Sequence, residues 1–172
     1  MCIRDSLIES KAILGLKNIE KIDLNMFALM ASKISNPKLR WASLASNLDC
    51  DLNALNDTFG VPKKLQELSH IYKKLFEFTA KPGSGAENHE VLAFIEDVDA
   101  LRRNKRFYKA LKILEASRTS SSIKGKALPW QEMSKKLKEI KPSSSELTGT
   151  EIIEDLRKQR LKIIEIELRK HG

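Results

Sequence analysis

Lysine and arginine are concentrated in one part of this chain, at a spacing that could bind phosphate groups. Residues 102–141 contain 13 basic and three acidic residues, whereas the whole chain of 172 residues carries a formal charge of +8. Within this block, Lys105, Lys109 and Lys112 recur at the spacing that places side chains on one face of a helix. Each neutralised phosphate releases bound counterions, so the pattern predicts a surface that binds a polyanion. A solvated helix face is the alternative interpretation.

Residue types that support metal or nucleophilic catalysis are few. The chain has two cysteines and three histidines, and their spacing matches neither a disulfide framework nor a zinc site. Asp49 and Asp51 are the one candidate pair for a divalent metal, but they lack the strand context that such pairs require, which favours a helix-capping loop. His70 is interpreted as an ordinary helix residue. We therefore predict no catalytic residue and no metal site in this chain.

The composition is that of an ordinary globular protein, with 41% hydrophobic and 31% charged residues. No apolar run approaches the ~18 residues that a membrane span needs, and the first residues lack the apolar centre of a signal peptide. We therefore predict a cytoplasmic protein with no membrane partner.

Helices must position the basic residues, because apolar residues recur at helical spacing nearly throughout and nowhere alternate as in a strand. The apolar stripes lie at 24–34, 41–48, 61–76, 91–98, 107–114, 130–137 and 152–164. Pro62 suits a first helical turn, Asn104 a cap, and Thr148 with Glu151 a capping box. The predicted fold class is all-α, a helical bundle in two successive parts.

Four segments of the second half share a pattern with one family of enzymes. They are DVDALRRNKRF at 97–107, LEA at 114–116, LPWQ at 128–131 and GTEIIEDLRKQRL at 149–161. In this order, and at similar spacing, they resemble the C-terminal region of bacterial tRNA nucleotidyltransferases, the CCA-adding enzymes. The resemblance implies a helical body and tail that bind the acceptor-stem region of tRNA. From the helical spacing of the lysines and the position of the 119–128 loop, together with this resemblance, we predict seven RNA-binding residues: Arg102, Lys105, Arg106, Lys109, Lys112, Lys124 and Lys126.

Other residues of this half keep two interpretations. Arg103 and Arg106 either contact RNA or form internal ion pairs with Asp97 or Asp99, and the sequence favours neither. Trp130 could stack on a base, although Met133 and Leu137 on the same side favour an anchor in the core. The basic residues of the last helix alternate with acidic ones, which is typical of a salt-bridged helix.

The first half resembles members of that family that carry an appended HD-type phosphohydrolase domain. The similar segments are RWASLASNLD at 40–49 and the helix that follows Val61 and Pro62. The metal-ligand positions implied by the resemblance are occupied by Ser46, Asn47 and Phe76, which are poor ligands or none. We therefore expect a degenerate HD-like bundle that persists as a scaffold without hydrolase activity.

The resemblance covers only the rear part of a family enzyme. The nucleotidyltransferase head of the family binds Mg²⁺ and CTP or ATP, and its Gly-rich turn has no counterpart here. We therefore expect a front-truncated chain that is not catalytic on its own, has no cofactor of its own, and could contact that head. The predicted ranges are 1–16 as a non-native or linker N-terminus, 17–80 as the HD-like bundle, 81–89 as a linker, and 90–172 as the tRNA-binding body and tail. The alternatives are a metal-dependent HD phosphohydrolase and an unrelated basic helical adaptor for RNA or protein.

Overall fold

The computed structural model describes residues 32–46, 48, 51–80, 87–118 and 129–171. Over these residues the protein is all-α, as predicted, with seven helices and no strand. The helices are α1 (Pro37–Ser46), α2 (Leu52–Thr58), α3 (Lys63–Ala80), α4 (Asn88–Asp97), α5 (Asn104–Arg118), α6 (Trp130–Glu139) and α7 (Gly149–His171). No helix in these ranges combines the length and the apolar character needed to cross a membrane.

The described residues divide into two compact units. The first contains 32–46, 48, 51–78 and 109–118, and the second contains 79–80, 87–108 and 129–171. Helix α5 therefore contributes its first residues to the second unit and its remaining residues to the first. The predicted domain ranges 17–80 and 90–172 stay predictions.

In the first unit, α1 packs on α2 around a small apolar cluster. The cluster consists of Ala45, Leu48, Leu52 and Leu55, with Trp41 packed against it. Trp41 Nε1 donates a hydrogen bond of 3.1 Å to Oδ1 of Asn56, a fully buried residue. This bond fixes the indole relative to α2, because a buried amide oxygen without a donor would be destabilising.

Helix α2 is bounded at both ends by backbone hydrogen-bonding motifs. Asp51 is its N-cap and accepts hydrogen bonds from the backbone N–H groups of Asn53 (2.8 Å) and Ala54 (3.3 Å), so the predicted capping role is confirmed for this residue. At the other end Gly60 has a φ of +58°. Its N–H donates to the carbonyl of Asp57 while the next N–H donates to that of Asn56, which satisfies carbonyls that the helix leaves open.

Helix α3 buries the predicted stripe along one side. Of the predicted residues, Leu68, Tyr72 and Leu75 are buried, whereas Val61, Leu65 and Phe76 are half-buried; Ile71, which the stripe did not include, is buried as well. Pro62 lies just before the first helical residue, and its carbonyl accepts a hydrogen bond of 2.7 Å from Leu65 N–H. A proline is favourable there because its missing N–H would have no partner in the first turn.

Three aromatic rings form the core of the second unit. Phe94 on α4, Phe107 on α5 and Trp130 on α6 have ring centroids 5.3 to 6.4 Å apart. Trp130 is only 3% exposed, so its interpretation as a core anchor is confirmed. Helix α7 packs against both α4 and α6 and completes this unit.

Helix α7 begins with one half of the predicted capping box, because Glu151 N–H bonds to the carbonyl of Thr148 rather than to its side chain. Thr148 N–H donates to Oε2 of Glu151 at 3.1 Å, while Glu151 N–H donates to the Thr148 carbonyl at 2.9 Å. One turn further on, Asp155 accepts hydrogen bonds from the backbone N–H and the hydroxyl of Ser143. These bonds hold the segment before α7 against the helix, and they lower the pKa of the Asp155 carboxyl, the bond from the Ser143 backbone being the main cause.

Candidate nucleic-acid interface

The row of lysines on α5 lies on the outside of the helix. Lys105, Lys109 and Lys112 are all exposed, and none of them has an ion pair or a hydrogen bond from its side chain in the described part of the chain. The opposite face of the helix is buried and consists of Phe107, Ala110, Leu111 and Leu114. Burial of one face holds the other in a fixed orientation, so the three ammonium groups form one row along about 10 Å of helix. We call this row the α5 lysine face.

The turn between α4 and α5 contains the acidic and basic residues of the DVDALRRN segment. Asp99 has a φ of +53°, the left-handed conformation that usually requires glycine. Its N–H donates to the carbonyl of Glu96, and the N–H of Ala100 donates to that of Ile95, both at 3.0 Å. This pair of bonds is the motif that ends many helices, with aspartate in the place of glycine.

The Asp99 carboxylate binds two of the neighbouring arginines. Arg102 approaches both carboxylate oxygens, with Nη2 2.7 Å from Oδ2 and Nε 3.2 Å from Oδ1, and Arg103 Nε lies 3.4 Å from Oδ2. The internal ion pair that the sequence left open for Arg103 is therefore formed. Arg102 has an acidic partner too, although 72% of its side chain remains exposed. Arg106 is half-buried in the first turn of α5.

The remaining predicted site residues fall into two groups. Lys124, Lys126 and Asn47 lie outside the described residues, as does the side chain of Ser46 at the end of α1. Phe76 is half-buried in α3, with its ring centroid 6.2 Å from that of Tyr72. In the parts of the chain that the structure covers, no three His, Cys, Asp or Glu residues lie together so that they could hold a metal ion. The interpretation of Ser46, Asn47 and Phe76 as former ligand positions stays a prediction.

His70 forms a contact between helices. Its Nε2 lies 2.9 Å from Oδ1 of Asn53, which joins α3 to α2. The pKa of His70 is lowered mainly by partial burial, and the positive charges of Lys74 and Lys73 lower it further. The negative charge of Asp51 acts in the opposite direction but is the smallest of these effects. The imidazole is therefore neutral at pH 7, which suits a structural residue of the helix pair.

Helix α6 carries two further exposed lysines that the sequence did not single out. Lys135 and Lys138 point to solvent, and neither has an ion-pair partner among the described residues. The lysine between them differs, because Lys136 Nζ lies 2.8 Å from Oε1 of Glu132 and 3.0 Å from Oε1 of Glu167. The signal was present in the spacing, since Met133 and Leu137 on the apolar side of a helix place 135 and 138 on the outer side.

Three of the six lysines and arginines of α7 have acidic partners. Arg160 Nη1 lies 3.4 Å from Glu96 Oε1 on α4, Arg169 pairs with Glu165, and Lys170 Nζ lies 3.1 Å from Glu167 Oε1. Salt bridges within the last helix are therefore formed by Arg169 and Lys170, whereas Arg157, Lys158 and Lys162, for which the sequence also predicted them, form none among the described residues. Cations without acidic partners among the described residues therefore occur on α7 as well as on α5 and α6.

Comparison with known proteins identifies no relative: no protein-family model, no curated protein and no solved structure matches this chain. The class of protein that the described residues define is an all-α protein with an exposed lysine face. Its function is accordingly argued from the positions and partners of its charged side chains.

Proposed function

We propose that this protein binds tRNA through the α5 lysine face, as the tRNA-binding C-terminal portion of a CCA-adding nucleotidyltransferase. The observation that carries the proposal is that Lys105, Lys109 and Lys112 are exposed, with no acidic partner among the described residues, on a helix whose other face is buried. A solvated face on a charged helix commonly contains acidic residues as well, whereas the single acidic residue of α5 is Glu115. The charge of this row is therefore available for phosphate groups.

A rigid row of ammonium groups suits the recognition of RNA by shape. Contacts with phosphates position a protein on RNA but carry no sequence information, and double-stranded RNA is recognised mainly through its backbone geometry. Such contacts suit a protein that accepts a whole class of similarly folded RNAs. The choice of the tRNA acceptor stem comes from the resemblance of residues 97–161 to the CCA-adding enzymes.

The proposed contribution to the reaction is one of position. Holding the acceptor stem in one place makes addition to its 3′ end effectively unimolecular for an active site elsewhere. The resemblance assigns Mg²⁺ and CTP or ATP to the nucleotidyltransferase head, so no residue of this chain is proposed to hold them. Since tRNA is the proposed partner, the proposed compartment is the cytoplasm.

The salt dependence of tRNA binding tests the proposal. The α5 triple variant, Lys105→Ala with Lys109→Ala and Lys112→Ala, should reduce the slope of log K against log salt by about 0.7 to 0.9 for each phosphate contact that is lost. A matched control replaces three exposed lysines outside this face: Lys63→Ala, Lys64→Ala and Lys162→Ala. It changes the net charge equally, so it separates the α5 lysine face from the total charge of the protein.

Two results would contradict the proposal. An unchanged slope in the α5 triple variant would show that these lysines do not bind the phosphates. Equal affinity for tRNA and for an unstructured RNA of the same length would reject tRNA as the partner and favour the basic helical adaptor instead. Circular dichroism of each variant establishes that the helices are intact, and alanine is a favourable residue in all three helical positions.

A further inference from the structure

We infer that Lys105 of α5 and Lys135 and Lys138 of α6 form a two-helix RNA-binding surface of the second unit, in which all three lysines bind phosphates. This inference rests on the proposed function, since it names a further part of the same RNA contact. It concerns only the second unit, to which the first residues of α5 and the whole of α6 belong.

Side-chain contacts place the two helices next to each other. In the buried interface, the rings of Phe107 and Trp130 meet edge to face with centroids 6.2 Å apart. A second contact joins Tyr108 Oη to Oγ of Ser134 at 3.4 Å. Ser134 is only 2% exposed, so the contact lies beneath the surface, and the half-buried Tyr108 is the part of it that approaches solvent.

The lysines flank this contact on both helices. Lys105 precedes Tyr108 by three residues on α5, and Lys138 follows Ser134 by four on α6, so each lysine shares a helix face with its contact residue. Lys135 is a neighbour of Lys138 at a spacing of three residues. Lys105 and Lys138 therefore occupy exposed positions one helical turn from the two residues of this contact.

Ion pairs on α6 remove other charges from this surface. Glu132 and Glu167 both lie within 3.0 Å of Lys136 Nζ, and Glu167 also pairs with Lys170, so the two acidic and two basic groups neutralise one another. Lys135 and Lys138 keep their charge unpaired within the described ranges. The remaining acidic residue of α6 is the exposed Glu139, which follows Lys135 by four residues and forms no ion pair in the same ranges. Its charge should oppose phosphate binding.

The test measures tRNA binding against salt for a double variant of α6. Lys135→Ala with Lys138→Ala should reduce the slope by about 0.7 to 0.9 for each lost contact, so by about 1.5 in all. The matched control is Lys63→Ala with Lys64→Ala, which removes two exposed lysines from the start of α3 and should leave the slope unchanged. The double variant should keep the helical circular dichroism signal, because both side chains are exposed and alanine favours helices.

A substitution that removes a negative charge should have the opposite effect on binding, which a merely structural explanation would not predict. Glu139→Gln keeps the size and the helical preference of the side chain but removes a negative charge from the surface. It should tighten tRNA binding at low salt about two- to fivefold, the range of an exposed charge interaction, and the gain should disappear at high salt.

The outcomes separate this inference from the proposed function. If the α5 triple variant lowers the slope while the α6 double variant and Glu139→Gln leave binding unchanged, the two-helix surface is overturned and the proposed function stands. If the α6 double variant lowers the slope and the α5 triple variant does not, the α5 lysine face is rejected, and the two-helix surface with it. If neither lowers it, both are rejected. A lowered slope in both variants, with tighter binding by Glu139→Gln, supports both.

Discussion

Asp99 combines two functions in the turn between α4 and α5. Its backbone takes the left-handed conformation that ends α4, and its carboxylate binds Arg102 and Arg103. Glycine would adopt this conformation without steric cost, but it would leave both arginines without their partner. Aspartate tolerates the left-handed region better than most residues, so it can serve both needs in one position. The DVDALRRN segment is therefore explained in part by local structure.

Substitutions of Asp99 separate these two functions. Asp99→Gly should be more stable than Asp99→Ala by about 1 kcal/mol, since both lose the ion pairs but only alanine carries a Cβ at positive φ. Asp99→Asn loses the charge but keeps a side chain that tolerates positive φ. It should lower the free energy of unfolding by less than about 1 kcal/mol, because the ion pairs are exposed. Urea unfolding followed by circular dichroism measures the order. An alanine variant as stable as the glycine variant would show that backbone strain does not matter here.

At the scale of elements, α6 and α7 are joined by a chain of alternating charges. Glu132, Lys136, Glu167 and Lys170 form it, and Oε1 of Glu167 accepts from both lysines at 3.0 and 3.1 Å. Glu167 is only 3% exposed, which makes it the one charged side chain that the described residues bury. The hydrogen bond from Lys136, and then that from Lys170, lowers the pKa of the Glu167 carboxyl. The pKa of Lys136 is raised by its bonds to Glu132 and Glu167.

This link should weaken in acid. A carboxyl whose pKa is lower in the folded than in the unfolded protein stabilises the fold at pH values above its pKa in the unfolded chain. For Glu167 this unfolded pKa is 4.5. That stabilisation is lost as the pH falls through the folded pKa. Glu167→Gln should therefore destabilise the contact of α6 with α7 at pH 7 and reduce its pH dependence below pH 4.5. One proton accounts for at most about 1.4 kcal/mol per pH unit.

Hydrogen exchange of the α6 amides from pH 3 to 7, corrected for intrinsic rates, measures this effect. The pKa values of Glu132 and Asp155 are lowered as well, so part of the pH dependence should remain in Glu167→Gln. Glu77→Gln, at an exposed position of α3, is the control and should leave α6 unaffected. If the variant and the wild type differ as much at pH 3 as at pH 7, the charge of Glu167 is not what joins the helices.

The helices could be predicted from the sequence, whereas the charged contacts between them could not. Apolar periodicity predicted α5 and its buried face, because burial follows the repeat of the helix wherever one side meets a core. The ion pairs of Asp99 could not be assigned from the sequence. They depend on the left-handed backbone of this residue, and apolar periodicity does not indicate such a conformation where the residue is not glycine. The spacing within α6 places Lys135 and Lys138 on the outer side, but it does not show which lysines of this helix lack an acidic partner in the described ranges. Lys136 is paired with a residue that lies 31 positions further along the chain, and spacing within α6 does not show this.

For the whole molecule, the net charge of +8 conceals an uneven distribution. In the described ranges, acidic side chains hold Arg102, Arg103, Arg160 and Arg169, so much of the arginine charge stabilises turns and helix contacts. The lysines that keep their charge on α5 and α6 are flexible point charges, which suit phosphates whose positions are not read individually. The same total charge spread evenly would attract RNA without orienting it.

Binding of tRNA to one fixed surface should stabilise the folded protein against thermal unfolding. At a concentration 100 times the dissociation constant, a ligand that binds only the folded state contributes about 2.7 kcal/mol, which for a chain of this size raises the melting temperature by about 5 to 10 °C. The shift should disappear at high salt, because the phosphate contacts are then lost.

The α5 triple variant at the same tRNA concentration should show a smaller shift, and the variant with Lys63→Ala, Lys64→Ala and Lys162→Ala should behave as the wild type. If the two units unfold separately, only the transition of a unit that contacts the RNA should move. An equal shift in both variants would mean that the total charge, rather than the lysines of α5, holds the RNA.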